Sequence, residues 1–187
     1  MNGWKHLHTI NRHRFLVMKH CFQMGLYWQG LTHDLSKYAP VEFRAGKKYY
    51  VGTRSPNAVE REETGYSVAW MHHKGRNRHH FEYWTDWDAQ AGQYIAMPMP
   101  RRYLAEMVAD RIAACKTYHG SAYQDGDALR YFLNAKETSL LHPETYRQLR
   151  YLLEMLAERG EVETLRFIKT QVLRGKPFAE EEYQSKK

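Results

Sequence analysis

Cysteine is scarce in this chain. Its 187 residues include two, Cys21 and Cys115, far apart and outside any CxxC or CxxCH pattern. A disulfide scaffold, a thiolate zinc site and covalent haem attachment are therefore unsupported, and a reducing cytoplasm is the expected compartment. Long apolar runs are missing as well. No stretch approaches the roughly 18 uncharged apolar residues of a membrane span, so no membrane association is expected. The N-terminal segment carries Trp4, His6 and His8 but no apolar h-region, which speaks against a secretory signal. Alternation at period two is nowhere sustained long enough to make a sheet. No repeat, low-complexity tract or Gly/Ser linker divides the chain.

What remains is a composition able to fold. Hydrophobic residues make up 43% and aromatics 14%, which excludes wholesale disorder and suits one core at this length. The formal charge of +7 is uneven. Residues 1–55 carry nine basic and two acidic side chains, 56–140 carry ten and eleven, and 141–187 carry nine and eight. The positive excess thus belongs to the N-terminal third, which suits an anionic partner or substrate. Histidine is abundant: seven of the eleven fall between His13 and His80.

Helical periodicity runs nearly throughout, and the fold class is all-α. Asn11 can cap a helix that passes Phe15, Leu16, Met18, Cys21 and Phe22 and stops at Gly25. A short helix is predicted from Gln29 to Tyr38, and another from Pro40 to Tyr50. Asn57 can begin one that ends near His73. Residues 88–100 read as the longest irregular stretch. Leu104, Met107, Val108, Ile112 and Cys115 form an apolar stripe over 101–118. Further helices are predicted at 127–138, 143–159 and 161–174, with a solvated tail from Gly175.

The segment Leu31-Thr32-His33-Asp34-Leu35-Ser36-Lys37 is the most informative. On a helix His33 and Asp34 would point about 100° apart, with Lys37 bordering both. An imidazole beside a carboxylate can grip one divalent ion, and the second carboxylate oxygen can bridge to another. Lys37 would then present positive charge where a phosphate oxygen sits. The plainer alternative is a surface helix start with Asp34 complementing the helix dipole. Asp110 lies at the edge of its helix's apolar stripe, where a carboxylate is costly unless it binds a metal or pairs with Arg111 or Arg102. His13 and His20 stand seven residues apart, about 10 Å along a helix, so they do not share one ion. A second cluster, His72, His73, His79 and His80, flanks the basic turn Lys74-Gly75-Arg76-Asn77-Arg78; it could ligate a metal or form an exposed anion-touching loop.

In order and spacing these residues resemble the HD-domain superfamily of metal-dependent phosphohydrolases. Its pattern is an early helical His, a later His-Asp with Lys three residues on, and a distant helical Asp after a small residue. His13 (with Val17 one turn on), His33-Asp34, Lys37 and Val108-Ala109-Asp110 match it. The likeness covers residues 10–120 of a single domain, with additional helices over 121–174 and a tail at 175–187. The resemblance implies His13, His33, Asp34 and Asp110 as metal ligands, with His20 left to the core. Superfamily members with two metals add histidines where His73, His79 and His80 lie. No His-Glu or Gly-Tyr-Pro sequence follows, so the cyclic-dinucleotide subgroup is not indicated. The implied cofactor is one or two divalent ions, with manganese, iron, cobalt, nickel, zinc and magnesium all compatible.

The implied activity is hydrolysis of a phosphate ester on a nucleotide or small phosphorylated metabolite. Lys37 and Arg76 would stabilise charge, and Glu82 or a spare histidine would protonate the leaving group. Arg44, Lys74, Asn77 and Arg78 would contact phosphate. Tyr27, Trp28, Tyr38, Tyr49, Tyr50, Tyr83 and Trp84 could stack a base but read mainly as core or rim. His6, His8, His119 and His142 are given structural roles. Two other readings compete: an HD-like di-iron oxygenase, and a non-catalytic basic helical protein binding nucleic acid or another partner through residues 1–55 and 74–80.

Overall fold

A computed structural model describes residues 2–135 and 140–178. The apolar stripe found in the sequence forms the middle of helix α6 (Arg101–His119), whose Leu104, Ala105, Val108, Ala109, Ile112 and Ala113 are fully buried. Helix α1 (Asn2–Met24) lies along one side of α6 through Val17, Cys21 and Met24, and α8 (Pro143–Thr170) lies along another through Leu149, Leu152, Leu153 and Leu156. Between α1 and α6 the chain makes four short helices, α2 (Tyr27–Thr32), α3 (Pro40–Lys48), α4 (Pro56–Thr64) and α5 (Val68–Lys74). Helix α7 (Asp127–Asn134) buries Ala128 and Phe132 against the same core. The architecture is mainly α-helical, and one buried cluster runs from Val17 to Phe178.

Several element boundaries differ from the sequence reading, each for a local reason. Helix α1 begins at Asn2 rather than Asn11, because His6 and Ile10 are buried two turns and one turn before His13. His6 packs on Phe43 and Tyr50 and lies over Gly46, where an added Cβ would stand 2.0 Å from its Nε2. Helix predicted over 29–38 breaks at His33-Asp34 and continues as a 3-10 turn, Leu35–Tyr38. Arg14 stabilises that break by donating to the free carbonyls of Leu31 (3.0 Å) and His33 (2.7 Å). The helix predicted over 57–73 splits at Gly65, whose φ of 84° stops α4, after which Ser67 caps α5 by accepting from Trp70 N.

Residues 85–96 form a short antiparallel hairpin, β1 (Thr85–Asp88) and β2 (Gln93–Ala96), paired Thr85 to Ala96 and Asp88 to Gln93. This overturns the expectation of no sheet; four-residue strands are too short for alternation to register. Helix α7 ends at Asn134, and the remainder of the predicted 127–138 span falls partly outside the described residues. The expected solvated tail is corrected at its start, since Phe178 is buried against Tyr151 and Phe167; residues 179–187 lie outside the described residues.

The two predicted C-terminal helices meet at Gly160, whose non-helical backbone kinks α8 there. Gly160 sits inside α8 at φ 78°, ψ 174°, a region open essentially to glycine alone. Gly160→Ala is expected to lower stability by about 1–3 kcal/mol with helical content preserved. Urea unfolding followed by circular dichroism checks this, and an unchanged midpoint would remove the kink from the account.

Candidate functional site

Asp34 is the one non-glycine residue with positive φ (55°) among the described residues, and it is completely buried. The left-handed turn ends α2 and aims the carboxylate inward, where α1, α5, α6 and the 77–80 loop meet. Each oxygen faces its own group of side chains. Asp34 Oδ2 lies 3.6 Å from His13 Nε2, 3.4 Å from His33 Nε2 and 2.6 Å from Lys37 Nζ. Asp34 Oδ1 lies 3.2 Å from His73 Nε2 and 3.5 Å from His79 Nε2. Asp110 Oδ1 closes the first group, 3.0 Å from His13 Nε2 and 3.5 Å from His33 Nε2.

Two four-residue sets with the right donors result, His13/His33/Asp34/Asp110 and Asp34/His73/His79/His80, sharing Asp34. Ligand atoms about 2.1 Å from one ion stand about 3.0–3.4 Å apart in octahedral or tetrahedral arrangement. The separations above fall in or near that range. Nε2 of His13, His33, His79 and His80 is buried without a well-directed hydrogen bond. Both groups could therefore hold a divalent cation.

The opposite ring nitrogens are fixed by two buried glutamates. Glu106, one turn before Asp110 on α6, accepts from Nδ1 of His33 at 2.9 Å and contacts Nδ1 of His79 at 3.2 Å. Glu42 on α3 accepts from Nδ1 of His73 at 2.8 Å and of His72 at 2.6 Å. Holding the proton on Nδ1 turns the Nε2 lone pair towards the centre, the arrangement that orients metal-binding imidazoles. Neither glutamate was picked out from sequence. The available signal was the placement of Glu106 within the apolar stripe of α6, where an uncompensated carboxylate is costly.

Charges inside the site are mutually dependent. Burial opposes ionisation of Asp34, but His33, Lys37 and His73 outweigh it and hold the carboxyl well below the usual range. Burial likewise opposes charging of His33, yet Asp34, Asp110 and Glu106 push its pKa up to about 10. Glu106 is brought down to about 2, burial being overcome by hydrogen bonds from His33 and His79. His79 and His80 are shifted down, first by burial and then by neighbouring histidines. With no ion bound, a proton held by His33 offsets part of the negative charge.

The site opens into a cavity of about 540 Å³. His13, Lys37, His73, His79, His80, Glu82 and Asp110 line it, so the structure brings these predicted residues together. His33 and Asp34 lie behind that wall. Arg44 and Arg76 are exposed elsewhere, and Arg76 binds the carbonyl of His72. Lys74 does not line the cavity either. Asn77 is buried and donates to Ser36 Oγ (2.8 Å) and the His73 carbonyl (2.8 Å), so its amide braces His73. His33 and Asp34 occupy a helix break, which replaces the predicted helical spacing of the pair. Arg111, read from sequence only as a partner for Asp110, also lines the cavity.

Over residues 2–157 the chain matches a family described as a family of unknown function, DUF5662, and it belongs to that family. No curated protein and no solved structure matches it. No helix among the described residues is long and apolar enough to cross a membrane.

His20 lies outside both groups. Its Nε2 is 3.2 Å from Glu161 Oε1 across the bend of α8, and Lys116 pairs with the other oxygen. The His20 hydrogen bond, opposed by burial and aided by Lys116, lowers Glu161 from 4.5 to about 2. Its stabilising contribution is then full above about pH 4.5 and disappears as the pH falls towards 2. Glu161→Gln is expected to cost about 1–2 kcal/mol at pH 7 after allowance for solvent screening, and the deficit should shrink below pH 4.5. Denaturant unfolding at several pH values measures it; a deficit independent of pH would mean that charge is not its source.

Proposed function

We propose that this DUF5662-family chain is an HD-like, metal-dependent phosphohydrolase acting on a nucleotide or other small phosphorylated metabolite. The observation that carries the reading is the division of labour at Asp34, one oxygen per histidine group, with Nδ1 of His33, His73 and His79 tied to buried carboxylates. His13, His33, Asp34 and Asp110 would hold one divalent ion, and Asp34, His73, His79 and His80 a second. Ions bound there would supply Lewis acidity to a phosphoryl group and water acidic enough to attack at neutral pH.

The chain's own residues do the rest. Glu106 and Glu42 keep the imidazoles in the ligating tautomer. Lys37, fixed on Asp34, carries positive charge to the cavity wall, where phosphoryl oxygens accumulate charge. Glu82 lines the same wall and serves the leaving oxygen. In the reaction a water oxygen bonds to phosphorus, the ester P–O bond breaks, and the departing oxygen takes a proton. The exposed position of Arg76 gives it no part. A reducing cytoplasm suits two free cysteines, and a concave site suits a small anion better than nucleic acid.

Purified protein is expected to retain or take up two divalent ions per chain, measured by elemental analysis. Asp34→Ala should lose both ions, and Glu106→Gln should weaken binding about 10–100-fold. Metal-supplemented protein should release orthophosphate from phosphomonoesters, and Asp34→Ala should not. Absence of metal uptake, or a flat phosphate assay across a panel of nucleotides and other phosphomonoesters, would overturn the assignment. Oxygen consumption by an iron-loaded sample would move it to the oxygenase chemistry.

A further inference from the structure

Arg111 presents a second problem of buried charge. It follows Asp110 on α6 and lines the cavity, and its Nε is shut off from solvent without a hydrogen-bond partner. Its guanidinium carbon stands 5.6 Å from the ring centre of Phe132, a weak hold for a cation. The other basic side chains on the cavity wall are engaged. Lys37 is bound to Asp34, Arg54 makes a two-pronged pair with Glu62, and Arg61 stacks on Trp70. Asp110 and Glu82 lie near enough to favour its charge, yet its buried Nε has no bonded partner, and its fork of donors matches phosphate oxygens.

The cavity around Arg111 has a consistent chemistry. Ile10, Met107, Ala114, Ala128 and Tyr131 supply apolar wall. His6, also on the wall, is held neutral, with a pKa of about 4 caused by burial and then by Lys37. The volume of about 540 Å³ lies within the range of sites for small organic ligands. One anionic group is thus provided for, and no cation among the described lining residues is left over for a second.

We infer that Arg111 is the anion-binding residue of this cavity, and that the ligand is a phosphomonoester whose organic body is uncharged and largely apolar. The inference rests on the phosphohydrolase reading of the Asp34 centre and deepens it. Arg111 grips the phosphate from its place on α6 beside Asp110, and the body lies along Ile10, Ala128 and Tyr131.

The test uses full-length protein and two ligands that cannot be hydrolysed, phenylphosphonate and 3-phosphonopropionate, titrated by calorimetry with the divalent ion present. Phenylphosphonate is expected to bind at least tenfold more tightly than 3-phosphonopropionate, whose body carries a carboxylate. Arg111→Met should weaken phenylphosphonate at least tenfold and leave metal content unchanged, and Arg111→Lys should recover part of the loss. Without ligand, Arg111→Met should melt no lower than the natural chain, because methionine keeps the apolar stem and removes the partly desolvated charge. Equal affinity in the natural chain and in a folded Arg111→Met variant overturns the inference, as does tighter binding of 3-phosphonopropionate. If the natural chain takes up no metal, the phosphohydrolase reading falls by itself. The same titration on metal-free protein then decides for or against Arg111 as an anion site.

Discussion

The structure is organised around one carboxylate that has no access to water. An ionised Asp34 at the meeting point of α1, α5 and α6 would be prohibitive alone, and what makes it tolerable is the ring of donors around it. Its left-handed backbone costs of order 1 kcal/mol or more in a residue that is not glycine, and Arg14 helps hold that conformation by satisfying the carbonyls at the end of α2. The short helices between α1 and α6 make sense in these terms. They are short because the chain must turn repeatedly to deliver His33, Glu42, His73 and His79 to one place. Each break is set by a particular residue: Asp34, Gly65 or the Ser67 cap.

Around this carboxylate lies a second layer of charge. Glu106 and Glu42 do not face the centre; they act through the far nitrogens of the imidazoles. Any divalent ion taken up here would compete with protons for the same lone pairs. Without an ion, His33 retains its proton because three carboxylates surround it. A divalent ion that displaces this proton would satisfy the same negative charge more completely. The buried histidines can therefore serve the folded state in either condition.

How much of this was legible beforehand depended on whether a feature was local. The helix of α6 could be read because its apolar stripe is long and regular, and Asp110 stood out against it. His13, His33, Asp34 and Lys37 were readable as an ordered pattern, not as geometry; the expected helical spacing of His33 and Asp34 gave way to a break held by Arg14, nineteen residues away in sequence. The roles of Glu42 and Glu106 were not legible for the same reason, since their partners are 31 and 73 residues distant and only the place of Glu106 in the α6 stripe gave a signal. Asn77 was placed among substrate contacts because it sits in a basic turn, whereas its amide is used up on Ser36 and His73. The early start of α1 depended on Gly46, which leaves room for His6 across an interhelical contact that no local propensity encodes.

The C-terminal third, which the HD-like pattern does not reach, has its own part in the site. Ala128 and Tyr131 of α7 form cavity wall, and Phe132 of the same helix lies beneath Arg111. Glu161, set by the bend at Gly160, takes up His20 and so keeps a second histidine of α1 away from the centre. The candidate ligand atoms thus come from residues 13–110, and a share of the apolar cavity wall comes from the helices beyond. The separation has a physical basis. Metal ligands must be held to within a few tenths of an ångström by a tightly coupled charge network, whereas an apolar wall requires only shape. Substitutions at Ala128 and Tyr131 can therefore alter what the cavity accepts without disturbing Asp34 and its histidines.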